Sequence, residues 1–406
     1  MKHKFRGKHL SVLLLSLCIA AAACIGYLDY AIPSSVSVYH AQSAQEEIAN
    51  AFVSFSYDST EKTASEHQYV TSLSGHASLF GVVPVKDVTV NVCDSMTVYP
   101  GGMTFGIQLY TDGVMVVGLT TVNTHGAVVS PAYDAGIRVK DMILAIDGKS
   151  ISTVEEVTSC LEESGGQTLT VTVSRNGETV ECKLSPVQSD EDGLYKAGVW
   201  IRDSTAGIGT VTFILNNGND FAGLGHGICD NDTGMLLPLR SGNVTGVTIS
   251  GIARGKTGQP GEIKGYLSGG VCGSLSANTE TGLYGRFDQK PDCCTEAVPI
   301  GLKNEIHSGE ATILSGVSGE IRSYSVRISD IGRSGDSESK NFIITVTDPA
   351  LLELTGGIVQ GMSGSPVIQD GKLVGAVTHV LINDPQKGYG IFIENMLKNM
   401  NDQSAQ

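Results

Sequence analysis

Gly361-Met362-Ser363-Gly364-Ser365-Pro366 sets a serine hydroxyl between two glycines, and a serine so placed has a chemical use. A hydroxyl attacks a carbonyl only when a base takes its proton and N–H donors converge on the oxyanion that forms. Glycines on either side let the backbone bend those N–H groups toward one point. The same residues would also serve as a plain Gly/Ser hairpin, so the reading depends on finding a base. Nine histidines are available. His3 and His9 precede an apolar segment, His40, His67 and His76 lie in the polar region beyond it, His125 belongs to another module and His307 to a polar loop. His226 is held between glycines in Leu224-Gly225-His226-Gly227 after an expected strand, which favours it as the base. His379, closing the strand after the serine motif, is its competitor. An orienting acid would fix the imidazole tautomer. Asp348 follows the apolar run Phe342 to Val346 and precedes Pro349, which biases it to an extended strand end; Asp220, Asp230 and Asp384 stay open.

The serine motif resembles the G-x-S-G-G-P of chymotrypsin-like peptidases, with Ser365 in place of the second of its adjacent glycines. That resemblance implies Ser363 as nucleophile and the N–H groups of Gly361 and Ser363 as the oxyanion hole. Such a reaction requires no cofactor. The nine cysteines contain no paired C-x-x-C spacing, and the adjacent Cys293 and Cys294 cannot comfortably clasp one ion, so no metal site is expected.

These side chains need a β framework. Glycine makes up 50 of 406 residues, about 12% against a usual ~7%, without a Gly-X-Y period, which favours strands joined by tight turns. From Lys196 onward the chain reads as strands: Gly198 to Arg202, Gly209 to Leu215, Asn243 to Ile252, Phe342 to Val346, Lys372 to His379. The clearest helix is Ile393 to Met400. The net charge of −15 opposes attraction to phosphates and sets nucleic acid aside as a partner.

Leu10 to Leu28 carries no charge and follows Lys2, Lys4, Arg6 and Lys8, the positive-inside pattern of a signal anchor with an extracytoplasmic body. A cleaved signal peptide, with Ala20 to Ala23 offered to a peptidase, and a lipid-modified Cys24 are the alternatives. The expected organisation is 1–29 cytoplasmic start and anchor, 30–98 stalk and small β element, 99–187 a first folded module and 196–406 a second.

In the first module, Ser130 to Lys149 resembles the hallmark stretch of PDZ domains, with strands expected at 113–119, 142–146, 168–174 and 178–184 and a helix at 154–163. Asn176-Gly177 marks a hairpin. PDZ domains present an apolar-Gly-apolar loop to a peptide carboxylate while the peptide joins a sheet edge. Phe105-Gly106-Ile107 fits that place and is the expected peptide-binding loop; a core strand is the other reading of it.

Three separated stretches, Gly198 to Thr210, Leu224 to Ile228 and Thr355 to Pro366, together resemble the SpoIVB (stage IV sporulation protein B) peptidases of endospore-forming bacteria. The resemblance implies a mainly β chain with an N-terminal membrane anchor, a PDZ-like domain and a chymotrypsin-like β-barrel serine peptidase domain. It also implies the triad His226, Asp348 and Ser363, self-cleavage, and cleavage of a membrane-bound inhibitor of an intramembrane protease, which releases a sigma factor. The implied location is the forespore intermembrane space, with the PDZ-like domain binding a substrate tail or the protein's own processed segments. A PDZ scaffold with a non-catalytic barrel, or an esterase on a related barrel, are the rival readings.

Overall fold

The computed structural model describes residues 15–16, 19–20, 22–40, 43–48, 53–57, 69–216, 218–292, 295–332 and 338–403. The chain divides into two compact units, 1–96 with 301–306 and 400–406, and 97–300 with 307–399.

The first unit carries a four-stranded sheet in the order Ser35–Val38, Val83–Cys93, Val70–Leu79, Val53–Tyr57. The short helix Ser43–Ile48 adds Ala44 and Ile48 to a core with Val36, Val38, Val53, Phe55, Val88 and Val90. Part of the stretch expected to be a stalk is therefore packed sheet. Its strands alternate Ser with Val or Phe, the period-2 pattern of a half-buried strand, which a polar composition masks. Residues 10–14, 17–18 and 21 of the expected anchor lie outside the described residues. Among those described, no helix is long and apolar enough to cross a membrane.

The second unit contains the PDZ domain. Strands Met142–Ile146, Leu169–Arg175 and Glu178–Leu184 pair antiparallel, and Asn176 and Gly177 take positive φ in the hairpin turn. Helix Val154–Glu163 begins with a capping box in which Thr153 and Glu156 exchange side chain-to-backbone hydrogen bonds. Asp141, fully buried, accepts two hydrogen bonds from Arg175 at 2.7 Å and one from the Arg138 N–H at 2.8 Å. That network gives the buried carboxylate of the Gly136 to Met142 stretch its partners.

Beside it the strands Thr104–Leu119, Leu239–Ala253, Gly261–Thr279, Gly282–Phe287, Asp220–Gly223 and Val199–Leu215 pair in that order. Pairing of the last with the first closes a circuit. Its core gathers Phe105, Ile107, Val211, Ile214, Phe221, Val244 and Phe287, with the Phe105 and Phe221 rings edge to face at 5.6 Å. A second closed barrel runs Gly309–Ser315, Arg322–Ser329, Phe342–Val346, Asp384–Phe392, Lys372–Leu381, Pro366–Gln369. It is filled by Ile313, Val326, Phe342, Ile344, Val367, Val377 and Ile391. Two strands, Thr104–Leu119 and Val199–Leu215, run through both the PDZ domain and the first circuit, so the two share backbone where the sequence suggested a break near residues 187–196.

Candidate functional site

Ser363 sits on the loop that enters Pro366–Gln369 of the second barrel. Gly361 and Gly364 take φ of +98° and +94°, in the left-handed region that glycine adopts without strain. A Cβ on Gly364 would lie 2.0 Å from the Thr210 carbonyl oxygen and 2.5 Å from the Leu224 nitrogen, so no other residue fits. The loop is braced by one strand: Thr210 N–H donates to the Ser363 carbonyl at 2.9 Å, Thr210 Oγ1 to Gly361 O and Thr212 Oγ1 to Gly364 O, both at 2.8 Å. Within the loop the N–H groups of Met362, Gly364 and Ser365 donate to Val359 O, Val377 O and Met362 O. Ser363 Oγ donates to the Thr378 carbonyl at 2.7 Å.

His226 follows strand Asp220–Gly223 of the first circuit. Leu224 and Gly225 both adopt positive φ, and a Cβ on Gly225 would meet Thr378 Cγ2 and Ile391 Cγ2 at 2.9 Å. The two loops thus touch where glycines allow it. Both His226 and Ser363 line one cleft of about 460 Å³ with Ala206, Ile208, Gly361 and His379. His226 Nδ1 lies 2.9 Å from the Gly227 carbonyl, so an Nδ1–H tautomer donates there and leaves Nε2 unprotonated. Burial pushes its pKa down and the Gly227 carbonyl works against that; the net effect keeps a neutral ring, the form a base needs. His379 stacks beside it with ring centroids 4.6 Å apart.

Asp348 is not brought to His226. It caps helix Pro349–Thr355, accepting from Ala350 N and Leu351 N at 3.0 Å and from Ser325 N at 3.3 Å. Pro349 at the first helical position favours that use, and the helix ends at Gly356, shortly before the serine loop. Phe105, Gly106 and Ile107 are likewise not a peptide-binding edge. Phe105 and Ile107 are buried in the circuit's core, and the strand is paired on both sides, Gly106 with Ile208 and with Thr245. A peptide strand needs an open edge.

An open edge lies elsewhere. Val199 to Arg202 pairs with Thr104–Leu119 on one side, while on the other the pairings of that strand begin at Val211 among the described residues. Asp203 holds the helix Val154–Glu163 beside it through the Val154 N–H at 2.9 Å. Ala197-Gly198-Val199 precedes this edge, with Gly198 at φ +70°, and has the same apolar-Gly-apolar form as Phe105-Gly106-Ile107. Sequence reasoning also missed Thr210, Thr212 and Thr378, whose contribution is a hydroxyl or carbonyl at a strand position and leaves no motif. Among the described residues no group of three metal-ligating side chains occurs, and Cys24, Cys160, Cys182, Cys229 and Cys272 are free thiols.

The SpoIVB peptidase S55 family matches residues 193–397 and the PDZ domain family residues 126–175. The zinc metalloprotease RasP of Oceanobacillus iheyensis is 39% identical over 61 residues, 15% of this chain and 14% of RasP. The probable protease eep of Enterococcus faecalis is 29% identical over 102 residues, 23% of this chain and 24% of eep. The chain thus spans a quarter or less of the length of these relatives. Among solved structures, the HtrA-type protease AlgW with a decapeptide aligns at TM-score 0.30 and 14% identity, covering 54% of this chain and 56% of AlgW. The PDZ domain of the SdrC-like protein Lmo2051 from Listeria monocytogenes aligns at TM-score 0.19 and 21% identity, covering 22% and 87%.

Proposed function

The chain belongs to the SpoIVB peptidase S55 family, and from that premise we propose that this PDZ-containing serine peptidase cuts proteins with Ser363 as nucleophile and His226 as base. The observation that carries the reading is that the two side chains reach one cleft from separate barrels, through loops joined at Gly364 and Leu224. For reaction, the Ser363 hydroxyl leaves the Thr378 carbonyl and turns to His226 Nε2. It attacks the scissile carbonyl as its proton passes to His226, the N–H groups of Gly361 and Ser363 receive the oxyanion, and His226 returns the proton to the leaving amine. Water then releases the acyl group. The Gly227 carbonyl fixes the tautomer, and Asp348 serves by holding the helix that leads into the serine loop.

The family resemblance extends the proposal. The substrates are the chain itself and a membrane-bound inhibitor of an intramembrane protease whose release activates a sigma factor in sporulation. The body is extracytoplasmic, in the forespore intermembrane space, and tethered through the segment Leu10 to Leu28. The PDZ domain takes a substrate tail or a processed segment of this chain at the edge formed by Val199 to Arg202, which raises its local concentration near the cleft. Purified full-length chain incubated beside its Ser363→Ala form tests the central step. Discrete fragments that arise only with Ser363 support it, whereas identical fragments from both would dismiss it.

A further inference from the structure

The cleft holds a second imidazole that this mechanism leaves idle. His379 lies at the end of strand Lys372–Leu381, directly after Thr378, whose carbonyl holds the Ser363 hydroxyl. Its ring stands 4.6 Å from that of His226, tilted by 37°. Its Nδ1 is buried and has no hydrogen-bond partner among the described residues. Leaving a buried polar atom of this kind unpaired costs stability, which argues for a partner at some stage of the cycle. The groups acting on it are His226 from the loop after Asp220–Gly223 and Lys340 from the segment ahead of Phe342–Val346; with burial, the largest influence, they push its pKa down to about 4. It is therefore neutral near pH 7.

When His226 takes the Ser363 proton it becomes a cation in a largely desolvated place. A carboxylate ordinarily answers that charge, but Asp348 is committed to three backbone N–H groups. We propose that His379 is a positioning residue that holds the His226 ring by face contact and turns its unpartnered nitrogen to that ring as it becomes charged. The inference rests on the serine peptidase reading above.

The test is the reaction of the full-length chain with a fluorophosphonate, in which the Ser363 Oγ–P bond forms, the P–F bond breaks, the proton passes to His226 and fluoride leaves. The limiting rate and the inhibitor constant are followed from about pH 5 to about pH 9 for the wild type, His379→Phe and His379→Gln. Phenylalanine keeps the ring face and removes the polar atom. It is expected to slow the limiting rate about tenfold or more, with the inhibitor constant within about twofold, and to move the acid limb to lower pH because the charged ring loses its partner. Glutamine, which restores a polar atom, is expected to recover most of the rate. A His379→Phe protein that reacts at the wild-type rate with an unchanged acid limb overturns the role of His379 alone. So does a loss confined to the inhibitor constant. A wild type that is not labelled at Ser363 overturns the serine reading and this inference with it.

Discussion

At the scale of single residues, the site is defined by positions where nothing larger fits. Gly364→Ala would press a methyl onto the Thr210 carbonyl at 2.0 Å and force φ of +94° on an alanine. We expect cleavage to fall by about a hundredfold or more, on the scale of a misplaced catalytic group, while circular dichroism retains the β signature. Asp348 separates two roles. Asparagine is as good an N-cap as aspartate and alanine is not, so Asp348→Asn should keep activity within about threefold and Asp348→Ala should lose about 1 kcal/mol of stability. Equal, near-complete loss in both variants would show that the carboxylate serves His226 directly. Acid should also weaken the fold. His379 has a folded-state pKa of about 4, below the usual ~6.5, so the unfolded chain binds the extra proton. Its stabilising contribution is complete above about pH 6.5 and fades as the pH falls toward about 4. Denaturant titrations at several pH values should show the wild type losing more stability across that window than His379→Phe.

Among elements, Val199–Leu215 does the most. Its start forms the open PDZ edge, Thr205 to Ile208 line the cleft, and Thr210 and Thr212 brace the serine loop. Arg202, near its start, pairs with buried Asp230 and with Asp232 at 2.8 Å, on the segment beyond His226. Burial alone would raise the Asp230 pKa, but hydrogen bonds from Thr233 and the Arg202 charge outweigh it and hold the carboxyl ionised. Arg202→Met should cost on the order of 1–3 kcal/mol and slow cleavage by loosening the His226 loop, read as a lower thermal midpoint together with a reduced turnover. Unchanged turnover would mean that the ion pair leaves the loop's position unaffected. Much of this layer was legible. The strands 142–146 and 178–184 and the helix 154–163 come directly from hydrophobic period and Asn176-Gly177. The role of Thr104–Leu119 was not, because an apolar-Gly-apolar run looks the same on an open edge and between two partners. Only the long-range pairing with Leu239–Ala253 and Val199–Leu215 decides it, and local sequence does not carry such pairings.

For the whole molecule, the serine and the histidine come from different closed circuits, more than a hundred residues apart in sequence, and meet because both loops converge on one cleft. Their residue types were readable from motif and glycine spacing. The third partner was not, since a carboxylate before a proline suits a strand end and a helix cap equally, and Asp348 takes the cap. The likeness to the SpoIVB peptidase S55 family covers 193–397, and the PDZ domain and the first circuit share the backbone of Thr104–Leu119 and Val199–Leu215. The most direct measurement of the central claim is mass-spectrometric mapping of the fluorophosphonate adduct on the full-length chain, its His226→Ala form and its Ser363→Ala form. We predict one adduct, on Ser363, formed readily in the wild type, about a thousandfold more slowly without His226, and absent without Ser363. An adduct on another residue, or equal labelling of all three proteins, would contradict the account.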